Sequence, residues 1–262
     1  MNREPLDPAR LSTLAAPWTV TVLEATGSTN ADAAEAARQG AAEGTAVLAE
    51  QQTAGRGRLG RTWTSPARAG LAMSVVLRPR VETARWGWLP LVAGLALADT
   101  VADVAGLDAR LKWPNDLLVD GRKAAGILAE VPVPGVVVLG VGLNVSLAED
   151  ELPVTAGGLP ATSLLLAGAA PVDRTALAAA LLHAVRREYE RWQEAAGDAV
   201  ASGVHADYLV RCATVGRQVR VGLPDGGVTG VAETVDGEGR LVVRDPSGAR
   251  RAVAAGDVVH LR

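Results

Sequence analysis

Phenylalanine is absent from this 262-residue chain, and only two of its 26 basic residues, Lys112 and Lys123, are lysine. Alanine abounds. Together these biases point to a GC-rich coding background in which arginine replaces lysine wherever charge alone is needed. Two lysines eleven positions apart then become candidates for work that an arginine fork cannot do. Asparagine is also scarce, at Asn2, Asn30, Asn115 and Asn144. The single cysteine, Cys212, excludes a disulfide framework and a cysteine metal cluster, and it reads as a buried apolar residue in a reduced, cytoplasmic setting. The three histidines, His183, His205 and His260, lack metal-ligand spacing and read as surface or core side chains. Without a nucleophile constellation, covalent catalysis by a side chain is not expected. The net charge of −3 argues against a general nucleic-acid binder. Met1–Pro5 has no apolar signal-peptide core, and the apolar stretch from Trp86 to Val104 carries Asp99 and Asp103, so it reads as a buried helix and not as a membrane span.

What is present centres on Gly55–Arg61, where three glycines and three arginines share seven positions. Glycines let a backbone approach a ligand, and arginines match carboxylate and phosphate oxygens. The spacing Gly55-x-Gly57-x-x-Gly60 fits the dinucleotide fingerprint, and Gly55-x4-Gly60-Arg61-Thr62 is one residue from a P-loop. Both motifs need a helix directly after the loop. Thr62–Pro66 is poor helix material, and Gly70–Leu77 reads as a strand. The loop therefore joins strand to strand, and both motifs fail.

Strands are expected at Thr19–Leu23, Thr45–Glu50, Ala109–Lys112, Leu117–Val119, Lys123–Val131 and Val136–Val145, with Asp120-Gly121 as a hairpin turn and Pro132–Pro134 turning the chain. Gly140 and Gly142 suggest a backbone close to a ligand. Helices are expected at Ala31–Arg38, with Ser28 or Thr29 as cap, and at Arg85–Ala105, Thr175–Ala195 and Asp198–Ala213. The loop Pro153–Pro160 carries no element. Past Val215, short strands separated by turns such as Asp225-Gly226 indicate a small β-barrel, which places a domain boundary near Gly216: residues 1–215 and 216–262.

The chemistry on offer is charge handling. Arg56, Arg58, Arg61, Lys112 and Lys123 converge if the strands pair as written, and Asp116 and Asn144 add a carboxylate and an amide. Trp63 is open to two readings, a platform for a base or a core anchor. Lys112 is open to two as well, a site cation or a brace for the Trp113-Pro114 turn. This kit fits a carboxylate reacting with ATP to give an acyl-adenylate, and it equally fits a site that only binds a nucleotide.

Five blocks, Gly27–Asn30, Gln51–Arg61, Lys112–Asp116, Gly121–Glu130 and Gly140–Val145, stand in the order found in biotin protein ligases, and the chain resembles that family from about residue 19 to its end. The resemblance implies an α+β fold: a mixed, largely antiparallel sheet flanked by helices, like that of class II aminoacyl-tRNA synthetases, with a C-terminal SH3-like barrel. It implies a ligase that uses ATP with Mg2+ to convert biotin to biotinyl-5′-AMP. The biotin then passes to a lysine of the biotin carboxyl carrier domain of acetyl-CoA carboxylase or a related carboxylase. By the same resemblance Ser28, Thr29, Asn30, Gln52, Arg56, Gly57, Arg58 and Lys123 surround biotin. Arg58, Arg61, Trp63, Lys112, Asn115 and Asn144 lie at ATP or the adenylate, and Lys123, Arg58 and Asp116 form the catalytic set. Metal ligands are not implied, and the oligomeric state stays open, a homodimer included. About eighteen residues precede the first strand, too few for a winged helix, so a ligase without specific DNA binding is expected. Lipoate-type ligation and non-catalytic sensing of biotin or its adenylate are the alternatives; the Gly-Arg-Gly-Arg loop favours biotin over lipoate.

Overall fold

The computed structural model describes residues 3–153, 159–223 and 226–261. Met1, Asn2, residues 154–158 of the loop after Pro153, Pro224, Asp225 of the Asp225-Gly226 turn, and Arg262 lie outside the described residues. The chain runs α1 (Pro8–Leu14), β1 (Thr19–Leu23), α2 (Thr29–Arg38), β2 (Thr45–Ala49), β3 (Gly70–Leu77), α3 (Leu89–Ala105), β4 (Ala109–Lys112), β5 (Asp116–Val119), β6 (Arg122–Val133) and β7 (Val136–Asn144). Then come α4 (Arg174–Glu194), α5 (Val204–Arg211), β8 (Gln218–Gly222), β9 (Val228–Val235), β10 (Leu241–Arg244), β11 (Arg250–Val253) and β12 (Asp257–His260).

β1 to β7 form one sheet in the order β1-β2-β3-β7-β6-β5-β4. Only β1 and β2 run parallel; the other pairs are antiparallel, so the sheet is mixed and largely antiparallel as expected. β8 to β12 form a second, antiparallel sheet in the order β11-β10-β9-β8-β12, consistent with an SH3-like tail.

Strand side chains alternate between faces, and this alternation assigns the two sides of the large sheet. Leu48, Val75, Leu77, Val137 and Leu139 join the main core with α1, α3 and α4. Val47, Val76, Val136 and Val138 point the other way and pack with Ala33, Ala34 and Ala37 of α2. The short, alanine-faced α2 covers only part of that second face. Further along the same face come Ser74, Gly126, Gly140, Gly142 and Asn144, on adjacent strands.

Several expectations are corrected. The N-terminal α1 was not anticipated, although Asp7 caps it and Pro8 stands in its first turn, where a missing N–H costs nothing. The helix expected from Arg85 begins as a 3₁₀ turn over Thr83–Trp88 and becomes α-helical at Leu89. α3 is buried and apolar from Leu89 to Ala98, between sheet and α4, and carries its acidic residues, Asp99 and Asp103, towards its C-terminal end. The helix expected over Asp198–Ala213 shortens to α5, because the Asp198 carboxylate takes the N–H groups of Val200 and Ala201 in a separate turn and Gly203 turns left-handed. β6 runs through Pro132, which falls at an irregularity between Glu130 and Val133 where the ladder has lapsed. The turn into β7 is made by Pro134 and left-handed Gly135 instead. At Asp120-Gly121 both φ angles are positive, 49° and 71°, as a two-residue hairpin turn of this type requires.

The N-terminal segment is tied to the sheet by a buried ion pair. Arg174 on α4 meets Glu50 at 2.7 Å and donates to the carbonyls of Gly70 and Glu4, while Glu50 accepts the N–H of Leu6.

Candidate active site

The uncovered part of the α2 face is the floor of a cavity of about 840 Å³. Every site residue singled out in the sequence, from Ser28 to Asn144, lines it. The glycines of the floor owe their identity to side chains. A Cβ on Gly140 would collide with Oδ1 of Asn30, and one on Gly142 would sit 2.5 Å from Cε2 of Trp63. They make room for an amide and an indole that wall the cavity, which refines the expectation of backbone close to a ligand.

At one end, α2 presents its first residues. Ser28 holds the cap position, but its side chain makes no capping bond. The side chain of Gln52 reaches across from the strand exit, and its Oε1 accepts from the N–H of Thr29 at 2.9 Å and from its hydroxyl at 3.1 Å. Ser74 Oγ lies 2.8 Å from Thr29 Oγ1 and 2.6 Å from Asn30 Oδ1, and Asn30 Nδ2 donates to Glu130 at 2.8 Å. Ser28, Thr29 and Asn30 are buried, and Thr29 and Asn30 are fixed by polar partners, leaving a pocket end lined with hydroxyls and amides and no free charge. Ser74 and Glu130 were not singled out from the sequence. A serine inside the otherwise apolar strand sequence Gly70–Leu77 was the one available signal.

Across the middle lies the charged cluster. Lys123 Nζ is 2.6 Å from Asp116 Oδ1 and 5.9 Å from the Trp63 ring, and Lys112 Nζ is 4.0 Å from Asp116 Oδ2. Lys112 is 8% exposed, and burial pushes its pKa down against the pull of Asp116 and Asp257. Its backbone carbonyl accepts from Asn115 N–H, as any residue's would, and its side chain lines the cavity beside Asp116.

Gly55–Arg61 forms a small hairpin over this cluster. Gly57 N–H donates to the Arg61 carbonyl at 2.7 Å, Trp63 N–H to the Gly55 carbonyl at 2.9 Å, and a single 3₁₀ turn over Arg58–Gly60 makes the tip. Neither a helix nor a phosphate-binding helix end follows, as the sequence argued. Arg58 reaches inward and donates to Asn115 Oδ1 at 3.2 Å; its pKa is lowered by burial and raised by Asp116. Asn115 spends its other amide end on the Ile127 carbonyl, so it holds Arg58 and the hairpin together. Arg61 turns to the tail and meets Asp257 at 2.6 Å. Arg56 is exposed and has no side-chain partner among the described residues.

The second sheet closes the far wall with Asp257, Val258, Val259 and His260, a contribution that the sequence reading missed because nothing local connects β12 with the loop. Burial, with Lys112 and Arg217 nearby, pushes the His260 pKa from 6.5 down to about 4, which leaves a neutral imidazole on the cavity wall beside Thr214. His183 and His205 bond instead to the carbonyls of Leu14 and Val235. Asn144, 1% exposed, donates to the Thr162 carbonyl, while its Oδ1 has no partner. No group of three or more His, Cys, Asp or Glu side chains able to hold a metal occurs among the described residues.

Over 92% of its length the chain is 47% identical to 88% of a protein of Mycobacterium tuberculosis named biotin–[acetyl-CoA-carboxylase] ligase. It belongs to the biotin protein ligase family. Residues 22–146 match the Biotin/lipoate A/B protein ligase family and residues 214–261 the Biotin protein ligase C terminal domain. A Paracoccus denitrificans ligase of the same name is 36% identical over 90% of this chain and 98% of its own. A biotin protein ligase from Aquifex aeolicus, solved in complex with biotin and ATP, superposes with a TM-score of 0.76 at 25% identity, covering 93% of this chain and 99% of that one. The family match therefore extends over both sheets.

Proposed function

We propose that this chain is a biotin–[acetyl-CoA-carboxylase] ligase. A biotin carboxylate oxygen attacks the α-phosphorus of ATP, pyrophosphate leaves, and biotinyl-5′-AMP stays bound. The amine of a lysine on a carrier domain then attacks the acyl carbon, AMP leaves, and an amide forms. The observation that carries this reading is the convergence of Arg56, Arg58, Arg61, Lys112 and Lys123 on one cavity whose other end is uncharged. Two anions must meet there, and their repulsion is offset only by cations already in place. At about 840 Å³ the cavity lies within the ~300–1,000 Å³ range typical of small-molecule sites.

The hydroxyl and amide end, Ser28, Thr29, Asn30 and Gln52, suits the polar ring system of biotin, with Gly57 and Arg56 at its mouth. Arg58 and Lys123 suit the carboxylate and α-phosphate oxygens, and a compact ammonium can follow an oxygen as charge moves. Arg61, held at the far wall by Asp257, suits the nucleotide phosphates. Trp63 offers a ring to stack on, and the unpartnered Oδ1 of Asn144 suits an exocyclic amine of adenine. Asp116 accepts the proton lost by the attacking amine. Magnesium arrives with ATP, held mainly by phosphate oxygens and water, since Mg2+ needs few protein ligands. The reaction is cytoplasmic, and residues 1–215 and 216–262 act as catalytic unit and tail.

Relatives named as ligases of acetyl-CoA carboxylase favour biotin over lipoate. The test is incubation with ATP, Mg2+ and labelled biotin, with and without an apo carrier domain. Biotin-dependent pyrophosphate exchange without carrier, followed by transfer of label with it, is expected. Tight biotin binding with no exchange would point to a sensor, and exchange driven by lipoate in preference to biotin would point to the sister activity.

A further inference from the structure

Asp116 lies between the only two lysines in the chain, which reach it in different ways. Lys123 comes from β6, past an irregularity between Leu117 and Leu118, and its partly exposed ammonium lies 2.6 Å from Oδ1. Lys112 is the register partner of Asp116 at the end of the β4–β5 hairpin, buried, with Nζ 4.0 Å from Oδ2. One lysine is therefore placed to move along the cavity, while the other is fixed by the ladder opposite the carboxylate.

In the ligase reading Lys123 must attend to substrate oxygens while Asp116 faces an incoming amine. An ammonium that turns to a carboxylate and a phosphate shares its attraction, and Asp116 loses part of its hold. The neighbouring groups are otherwise engaged. Arg58 is bonded to Asn115, Arg61 is paired with Asp257, His260 is neutral, and Tyr208 behind the hairpin is fully buried. Lys112 has its own need for Asp116, because a buried ammonium without a counter-ion is strongly unfavourable and Asp257 is already shared with Arg61.

We propose that Lys112 is a positioning residue, the resident counter-ion that keeps the Asp116 carboxylate in place during transfer while Lys123 is occupied by substrate. The assignment rests on the ligase reading. Its mark is that Lys112 acts on the second half-reaction and acts through Asp116.

The experiment isolates the enzyme with biotinyl-adenylate formed in place, mixes it rapidly with apo carrier domain, and measures transfer, with pyrophosphate exchange measured separately. Lys112→Met, Asp116→Asn and the double variant are compared with wild type. Lys112→Met should slow transfer by about tenfold or more, and by clearly more than it slows adenylation, to which Lys112 contributes as one of the converging cations; in the Asp116→Asn background it should add less than about twofold to the loss of transfer. Equal slowing of both half-reactions, or the same loss in both backgrounds, overturns the assignment. Lys112→Gln, which keeps a polar head in the buried space, completes the same cycle if the methionine variant does not fold. A wild-type protein that makes no adenylate would reject the ligase reading itself, whereas the cycle rejects only the role of Lys112.

Discussion

Lys123 touches the carboxylate of Asp116 and lies near the Trp63 ring from a strand that the Asp120-Gly121 turn folds back over the floor. In the ligase reading, replacing it by alanine removes the cation assigned to the carboxylate and α-phosphate oxygens, and biotin-dependent pyrophosphate exchange should fall by roughly a hundredfold or more. A variant retaining near-normal exchange would refute that role. His260 makes a separate prediction about stability. It is kept neutral in the folded chain, with its pKa lowered from 6.5 to about 4. The unfolded chain thus binds more protons between those values, so this residue makes the protein less stable as pH falls through that window. His260→Gln should flatten the fall in Tm between pH 6.5 and 4. Parallel melting curves for the two proteins across that range would contradict it. Lys112, Lys123, Asn30, Asn115 and Asn144 were legible in the sequence because their types are rare: two lysines and four asparagines in a chain that avoids both. Ser74 and Glu130 were not, since serine and glutamate carry no such bias and their partners come from 44 and 100 positions away.

Among the elements, the hairpin over Gly55–Arg61 is tied to the tail through Arg61 and to the large sheet through Arg58. That side chain spans from the tip to Asn115, and the exposed, left-handed Leu59 beside it does nothing to anchor the turn. Arg58→Ala should leave the loop free to open, so that biotinyl-AMP dissociates faster while binding of biotin changes less. The measurement is release of labelled adenylate from the isolated complex, and unchanged release would sink the idea. The strands of the large sheet were readable from β-branched runs, and the β5–β6 turn from Asp120-Gly121. The errors came where neighbours overrode local pattern. Pro132 stayed in a strand because the ladder had an irregularity there, and α5 lost a turn and a half to the carboxylate of Asp198.

At the scale of the whole molecule, the tail is built into the site. Its residues share one continuous core with the large sheet, Trp113 Nε1 donates to the Gly239 carbonyl at 3.0 Å, and a Cβ on Gly87 would collide with the Glu238 carbonyl. Asp257 holds Arg61, and His260 walls the cavity. A chain ended at Val215 should therefore lose adenylation and melt at a lower temperature than the full chain, as read by pyrophosphate exchange and calorimetry. A truncated protein with full exchange would show that the far wall is dispensable.

The glycine- and arginine-rich loop, its setting between strands, the two isolated lysines and the change of texture after Val215 were all determined by the sequence alone. Each rests on local composition and spacing, which chain neighbours control. The tertiary structure alone decided that α2 covers only part of its sheet face, that Gly140 and Gly142 give way to Asn30 and Trp63, and that β12 returns to meet the loop. Those outcomes depend on contacts between residues far apart in the chain, such as Arg61 with Asp257, and no periodicity encodes them.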